Sequence, residues 1–124
     1  MNKVFPAIKT QSFIYDFDID GGAVGSIGTG IIIPTTATFF ICVFRVLTPV
    51  TSGGAALINV GWNGQLSAIA QNLGPLPLAA GSFAIPGTGA PCEGLEILFS
   101  ISVAPLTAGK IIVHMPYIDS ALRG

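Results

Sequence analysis

Three stretches of the chain alternate apolar and other residues with a period of two. They are Thr10–Asp20, Gly94–Val103 and Lys110–Ile118. In the first, one face carries Phe13, Tyr15, Phe17 and Ile19, and the other carries Ile14, Asp16, Asp18 and Asp20. Successive side chains of a β-strand point to opposite faces, so this period predicts strands with one buried face. A helix would need a period near 3.6, and the pattern therefore favours an all-β chain.

Glycine and proline divide the rest of the sequence into short segments. The chain has 16 Gly and 9 Pro in 124 residues, a composition typical of strands joined by turns. Further strands are predicted at Ser26–Ile33, Thr38–Leu47, Ala55–Gly61 and Ser82–Ile85. Thr38–Leu47 is apolar on both faces, which indicates a strand near the middle of a sheet. Ser67–Leu73 is predicted as a loop or a single helical turn, and Gly74–Pro91 as a long, mostly irregular loop.

Strands at this spacing predict an all-β fold. We expect a two-sheet antiparallel β-sandwich, jelly-roll-like, with about seven or eight strands. The length is too small for two independent cores, so we expect an N-terminal arm at residues 1–10 and a single β-sandwich domain at residues 11–124. The residues expected in or near the core are Phe13, Phe39, Ile41, Val43, Ile97, Phe99, Ile101, Ile111 and Val113.

Charged side chains are scarce and unevenly placed. They make up 9% of the chain, and Arg45 alone separates two uncharged runs of residues, 21–44 and 46–92. A small soluble domain normally carries roughly 25–35% charge on its surface, so we infer that much of this surface is covered. The cover could be lipid, further copies of the chain or a larger assembly. Lipid fits least well, which leaves self-association into a homo-oligomer or a larger particle.

The same charge pattern argues against two classes of partner. With no basic stripe to neutralise phosphates, nucleic acid is not expected as a partner. The longest apolar stretch, Ile31–Val50, is interrupted by Pro34, Arg45 and several threonines, so no membrane partner is expected either. Residues 1–10 lack the apolar region of a signal peptide, which predicts synthesis in the cytosol.

The run Asp16-Phe17-Asp18-Ile19-Asp20-Gly21 resembles the start of an EF-hand calcium loop. That motif requires a bidentate Glu at its twelfth position, and this chain has Ile27 there. We therefore predict no metal site. A calcium site of another kind at the strand end stays open, but carboxylates on a solvent-facing strand face are the simpler interpretation.

Catalytic groups are few. His114 is the one histidine, it lies inside a predicted strand, and no G-x-S-x-G elbow occurs in the chain. Cys42 falls in the most apolar strand, where a thiol behaves as a small hydrophobe. We predict no enzyme activity, no catalytic residue and no cofactor, and we expect Cys42 and Cys92 to be free thiols.

Trp62 precedes a plausible hairpin turn at Asn63-Gly64. An aromatic ring in such a loop could stack on a sugar, anchor a neighbouring subunit or pack on its own core. The sequence leaves these three roles open.

Several stretches resemble short virion proteins of tailed bacteriophages, of the capsid decoration, cement or head-fibre type. The likeness is carried by Gly21–Gly25 leading to Ile33-Pro34, by Val43–Thr48 followed by Thr51–Ala56, and by Ile101–Lys110. The resemblance implies a non-enzymatic structural protein on the capsid exterior, with the phage major capsid protein as partner and a trimer as the preferred oligomer. We expect the contacts to come from the Gly74–Pro91 loop and the Met1–Thr10 arm.

Two other functions stay open. The chain could be a phage tail or fibre module that binds a receptor glycan through Trp62, Asn63, Gln65 and Asn72. It could also be a small enzyme, which would require a buried pocket that holds His114 beside a carboxylate.

Overall fold

The computed structural model describes residues 6–39, 41–73, 78–86 and 92–123. These residues form nine strands and one helical turn. The elements are β1 (Pro6–Asp16), α1 (Phe17–Asp20), β2 (Gly25–Ile32), β3 (Ala37–Phe39), β4 (Ile41–Ser52), β5 (Leu57–Trp62), β6 (Gln65–Leu73), β7 (Gly81–Pro86), β8 (Glu96–Ser102) and β9 (Leu106–Arg123). No helix in the described part of the chain has the length and apolar character needed to cross a bilayer.

The strands form two sheets. Sheet A has the order β1-β9-β4-β7, with β3 also paired to β9, and sheet B has the order β2-β8-β5-β6. The pairs are nested along the chain: β1 with β9, β2 with β8, β4 with β7 and β5 with β6, all antiparallel. Nested pairs that alternate between two sheets define a jelly roll. The predicted all-β, two-sheet antiparallel sandwich is confirmed.

The core lies between the two sheets and is centred on Phe99. Its ring stacks on Tyr15 with ring centroids 4.6 Å apart, and Phe13 meets it edge-on at 6.1 Å. Five of the predicted core residues are fully buried, and Phe13 is partly buried against the same cluster. The five are Ile97, Phe99, Ile101, Ile111 and Val113.

The prediction for the core face of β4 was wrong. Cys42, Phe44 and Val46 point into the core, whereas Ile41 and Val43 are only half-buried and lie on the outer face of sheet A. The predicted core residue Phe39 ends β3, and its side chain is outside the described residues. Both faces of this segment are apolar, so hydrophobicity alone did not distinguish them.

The prediction of a loop or helical turn at Ser67–Leu73 was also wrong, because this segment is most of β6. Ala68, Ile69 and Ala70 are buried in succession, which hides the period of two. Register shifts along the β5–β6 pair account for the succession, since an irregular ladder lets neighbouring residues face the core.

Part of the predicted N-terminal arm and part of the predicted 74–91 loop are in strands. β1 begins at Pro6, so residues 6–10 of the predicted arm pair with β9, and residues 1–5 lie outside the described residues. Within the predicted 74–91 loop, β7 confirms the strand predicted at Ser82–Ile85, and Leu78 forms an isolated bridge with Val50. Residues 74–77 and 87–91 of that loop lie outside the described residues.

A close backbone contact joins the segment after α1 to the start of β9. Leu106 donates its N–H to the carbonyl oxygen of Gly22 at 2.7 Å, and Gly22 is buried. A Cβ atom at Gly22 would overlap the Leu106 carbonyl and the Phe17 ring. Glycine is therefore required here for the approach of the backbones.

Candidate functional site

The aspartates of the EF-hand-like run form a capped turn. Asp16 N-caps the helical turn: its Oδ1 accepts the N–H of Asp18 at 3.0 Å, while Asp20 Oδ2 accepts the N–H of Asp16 at 2.9 Å. Lys110 Nζ lies 3.7 Å from Asp16 Oδ2. The predicted strand thus ends at Asp16, and the placement of Asp18 and Asp20 on its solvent face was wrong. Among the described residues, no group of three or more His, Cys, Asp or Glu could hold a metal ion.

His114 lies on the outer face of sheet A. Its Nδ1 is 2.7 Å from the Oγ of Ser12, in an exposed position directly across the β1–β9 pair. In the described part of the chain, no carboxylate forms a hydrogen bond or ion pair with the ring. A serine and histidine pair of the catalytic kind also needs a group that orients the imidazole, and this pair has none there. The contact fixes the ring on the sheet surface.

Both cysteines are free and buried. Cys42 points from β4 into the core, where burial raises the pKa of its thiol to about 12. Burial also raises the pKa of the Cys92 thiol. Because the thiolate is the reactive form, Cys42 is a core side chain without nucleophilic character at neutral pH.

We expect Cys42 to resist thiol reagents in the folded protein at neutral pH. A pKa near 12 instead of 9 lowers the thiolate fraction roughly a thousandfold, and burial excludes the reagent as well. The measurement is a thiol titration with an aromatic disulfide reagent, with and without denaturant. Rapid reaction of Cys42 in the native protein would show that β4 has the other face towards the core.

Trp62 belongs to β5 and not to a loop. Its side chain is 1% exposed, and its indole N–H donates to Glu93 Oε2 at 3.0 Å. Of the three roles left open by the sequence, the structure therefore assigns the ring to its own core, and it is not available to stack on a sugar. The other residues of the predicted glycan set, Asn63, Gln65 and Asn72, are exposed. Glu93 was missed because nothing in the sequence links it to a residue 31 positions away.

Arg45 lies on the outer face of sheet A between Ile112 of β9 and Ser82 of β7. Ile14, Ile112 and Arg45 lie side by side across β1, β9 and β4, and Val43 is the next outward residue along β4. Ile14 is 55% exposed and Arg45 is also exposed. Arg45 forms no ion pair with a described residue. This surface is suited to a partner that brings apolar contacts and a carboxylate.

Both open sides of the sandwich carry clefts. One, of about 480 Å³, lies between β1 and β2 and is lined by Phe13, Tyr15, Asp20, Ile27, Thr29 and Phe99 among others. The other, of about 310 Å³, lies between β6 and β7 around Leu73, Leu78, Phe83 and Ile85. These clefts mark the places where the two sheets separate at edge strands.

The fold is similar to chains in two solved phage capsids. One is in the Cyanophage Pam1 capsid asymmetric unit, with a TM-score of 0.63 and 15% identity over 95% of this chain and 89% of that chain. The other is in the acidic stable capsid structure of Helicobacter pylori bacteriophage KHP30, with a TM-score of 0.64 and 11% identity over 93% of this chain and 90% of that one. No protein-family model and no curated protein sequence matches the chain. At these identities the similarity is one of fold.

Proposed function

We propose that this chain is a non-enzymatic structural protein of a phage virion that decorates or cements the outside of the capsid. The observation that carries the proposal is the match of the whole jelly roll, end to end, to chains in two phage capsids. A match over nearly the full length of both chains indicates the same overall architecture. The proposal places its synthesis in the host cytoplasm.

The surface supports an assembled state. Nine large apolar side chains of the described residues are exposed, and charge is only 9% of the sequence. Contiguous exposed apolar surface marks interaction sites, and Ile14 lies beside Ile112 on the outer face of sheet A. We propose a homo-oligomer, with a trimer preferred, whose remaining apolar surface contacts the major capsid protein. The apolar residues are Ile14, Ile19, Val24, Ile32, Leu47, Leu66, Leu95, Val103 and Ile118.

The outer face of sheet A is the surface we assign to the shell. Arg45 is an exposed guanidinium beside Ile112 and Val43 on one side and Ser82 on the other, and it forms no ion pair with a described residue. A guanidinium recognises a carboxylate through two parallel hydrogen bonds, and surrounding apolar contacts exclude water from that pair. The face therefore fits a capsid surface that presents an acidic side chain within an apolar patch.

The test is to mix the purified chain with capsid shells that lack it and to sediment the shells. We expect saturable binding and a higher disruption temperature, because a ligand of the assembled shell stabilises it by about 2.7 kcal/mol per site at a hundredfold excess over Kd. Arg45→Glu should weaken binding roughly tenfold or more. Gln65→Glu, which adds negative charge at an exposed position of sheet B, should bind as the wild type does.

The opposite results decide against the proposal. If shells neither bind the chain nor gain heat resistance, the cement function is wrong. If the chain binds a receptor glycan and does not bind shells, its function is instead that of a tail or fibre module. In that case Asn63, Gln65 and Asn72 are the residues to substitute, since Trp62 is buried.

A further inference from the structure

β1 is the most regular of the edge strands of the sandwich. Sheet A ends at β1 and β7, and sheet B ends at β2 and β6. β2 and β6 both have register shifts, and β7 is six residues long with Pro86 at its end. β1 instead pairs with β9 without any shift from Ala7 to Asp16. Bulges, prolines and short strands protect an edge from pairing with another chain, and this part of β1 has none of them.

The free backbone groups of β1 can be identified from one hydrogen bond. Asp16 donates its N–H to Asp20 Oδ2, so this donor is not used for the pairing with β9. In an antiparallel ladder the backbone groups of alternate residues point to opposite sides of the strand. Because the register is unbroken, the N–H and C=O groups of Ser12 and Ile14 also point away from β9. The Asp20 carboxylate accepts the N–H of Asp16. The N–H groups of Ser12 and Ile14 stay open to a partner strand.

The surroundings of this edge favour an extended backbone as the partner. The cleft of about 480 Å³ lies beside residues 12–15. No charged residue occurs from Thr10 to Tyr15. Lys9 is exposed at one end of this segment and forms no ion pair with a described residue, while Asp16, Asp18 and Asp20 lie at the other end.

We propose that β1 pairs with β1 of a second copy of this chain, antiparallel across a two-fold axis at Ser12. A two-fold contact requires one surface that complements itself, and β1 has a basic end and an acidic end. Antiparallel pairing places Lys9 of each copy beside the acidic turn of the other, whereas parallel pairing would place like charges together. The result is one continuous sheet across two molecules. This contact uses the backbone edge of β1, whereas the shell contact uses side chains on the outer face of sheet A, and it would join neighbouring oligomers to each other. Ile14 contributes its backbone to the first and its side chain to the second, so Ile14→Ala measures the loss of the side chain from the shell contact separately.

The test compares Ile14→Pro with Ile14→Ala in the full-length protein by sedimentation velocity over a wide concentration range. Both variants remove the exposed side chain, but only proline removes the free N–H. We expect a concentration-dependent doubling of mass in the wild type and in Ile14→Ala. In Ile14→Pro the association should be weaker by about tenfold or more, since two symmetric hydrogen bonds are lost.

A second variant, Lys9→Glu, tests the direction of pairing without changing the backbone. We expect association about threefold to tenfold weaker than in the wild type at low salt, and a smaller difference at high salt. If Ile14→Pro does not fold, as judged by thermal unfolding, the association of Lys9→Glu tests the proposal. The proposal is overturned if the wild type shows no doubling, or if the variants that fold associate as it does. Shell binding is scored separately, so a wild type that binds shells but shows no doubling of mass rejects this inference alone.

Discussion

Replacing Phe99 by alanine is expected to destabilise the protein by about 3–5 kcal/mol. The ring is 1% exposed and fills the centre of the sandwich, stacked on Tyr15 from sheet A and met edge-on by Phe13. Its removal leaves a cavity between two sheets that cannot collapse without moving both. Denaturant unfolding at a fixed protein concentration measures the loss, because oligomerisation makes the apparent stability depend on concentration.

Ile14→Ala is the matched control for this substitution. Ile14 is also apolar and lies on β1 beside Phe13, but it is 55% exposed. We expect a change within about 0.5 kcal/mol at a concentration where the chain is not associated through β1. If Phe99→Ala is tolerated as well as Ile14→Ala, the inner face of β8 has been misassigned.

Gly22→Ala is expected to destabilise the protein by about 1–3 kcal/mol. The added methyl group would overlap the Leu106 carbonyl oxygen and press on the Phe17 ring. Relief of that overlap requires the start of β9 to move away, which weakens the hydrogen bond from Leu106 to Gly22. The same unfolding experiment measures the loss.

Gly53→Ala is the control for the effect of the methyl group itself. Nothing lies within 4 Å of a Cβ atom at Gly53. There the substitution should be neutral or should stabilise the protein by up to about 1 kcal/mol, because alanine restricts the unfolded chain. Equal losses at Gly22 and Gly53 would contradict the close approach of β9.

The sequence predicted the strands that bury one face. β1 and β8 alternate cleanly, so the inward positions of Tyr15, Ile97, Phe99 and Ile101 follow from the period alone. The nested strand order does not follow from it. Alternation determines which face of a strand is buried, but the pairing of β1 with β9 depends on contacts between residues that are far apart in the chain.

Prediction from periodicity was wrong where the period was ambiguous or interrupted. β4 has large apolar residues on both faces, and the choice of Phe44 over Val43 as a core residue depends on what lies on each side of sheet A. In β6 the register shifts bury Ala68, Ile69 and Ala70 in succession. At Asp16 the alternation continues in the sequence, but the backbone turns, because Asp16 and Asp20 satisfy backbone donors more locally than a sheet would.

The sequence predicted that interaction surfaces exist but not where they lie. Scarcity of charge indicated that the surface is covered, but it could not indicate which part of it. The role assigned to Arg45 depends on its alignment with Ile14 and Ile112 across three strands, which the sequence does not show. The open edge of β1 requires both the register with β9 and the hydrogen bond of Asp16, neither of which is present in a residue pattern.

The nested pairing of strands also governs when this protein can fold. Ser12 and His114 are 102 positions apart, yet they lie directly across one strand pair. On the ribosome β1 is without its neighbour until β9 has been synthesised. β4 also lacks its β9 neighbour until then. Chains dominated by such distant pairings fold slowly compared with helical proteins of similar size. During that delay both sides of β1 are open to other nascent chains, so aggregation during synthesis should increase with expression rate and decrease at low temperature.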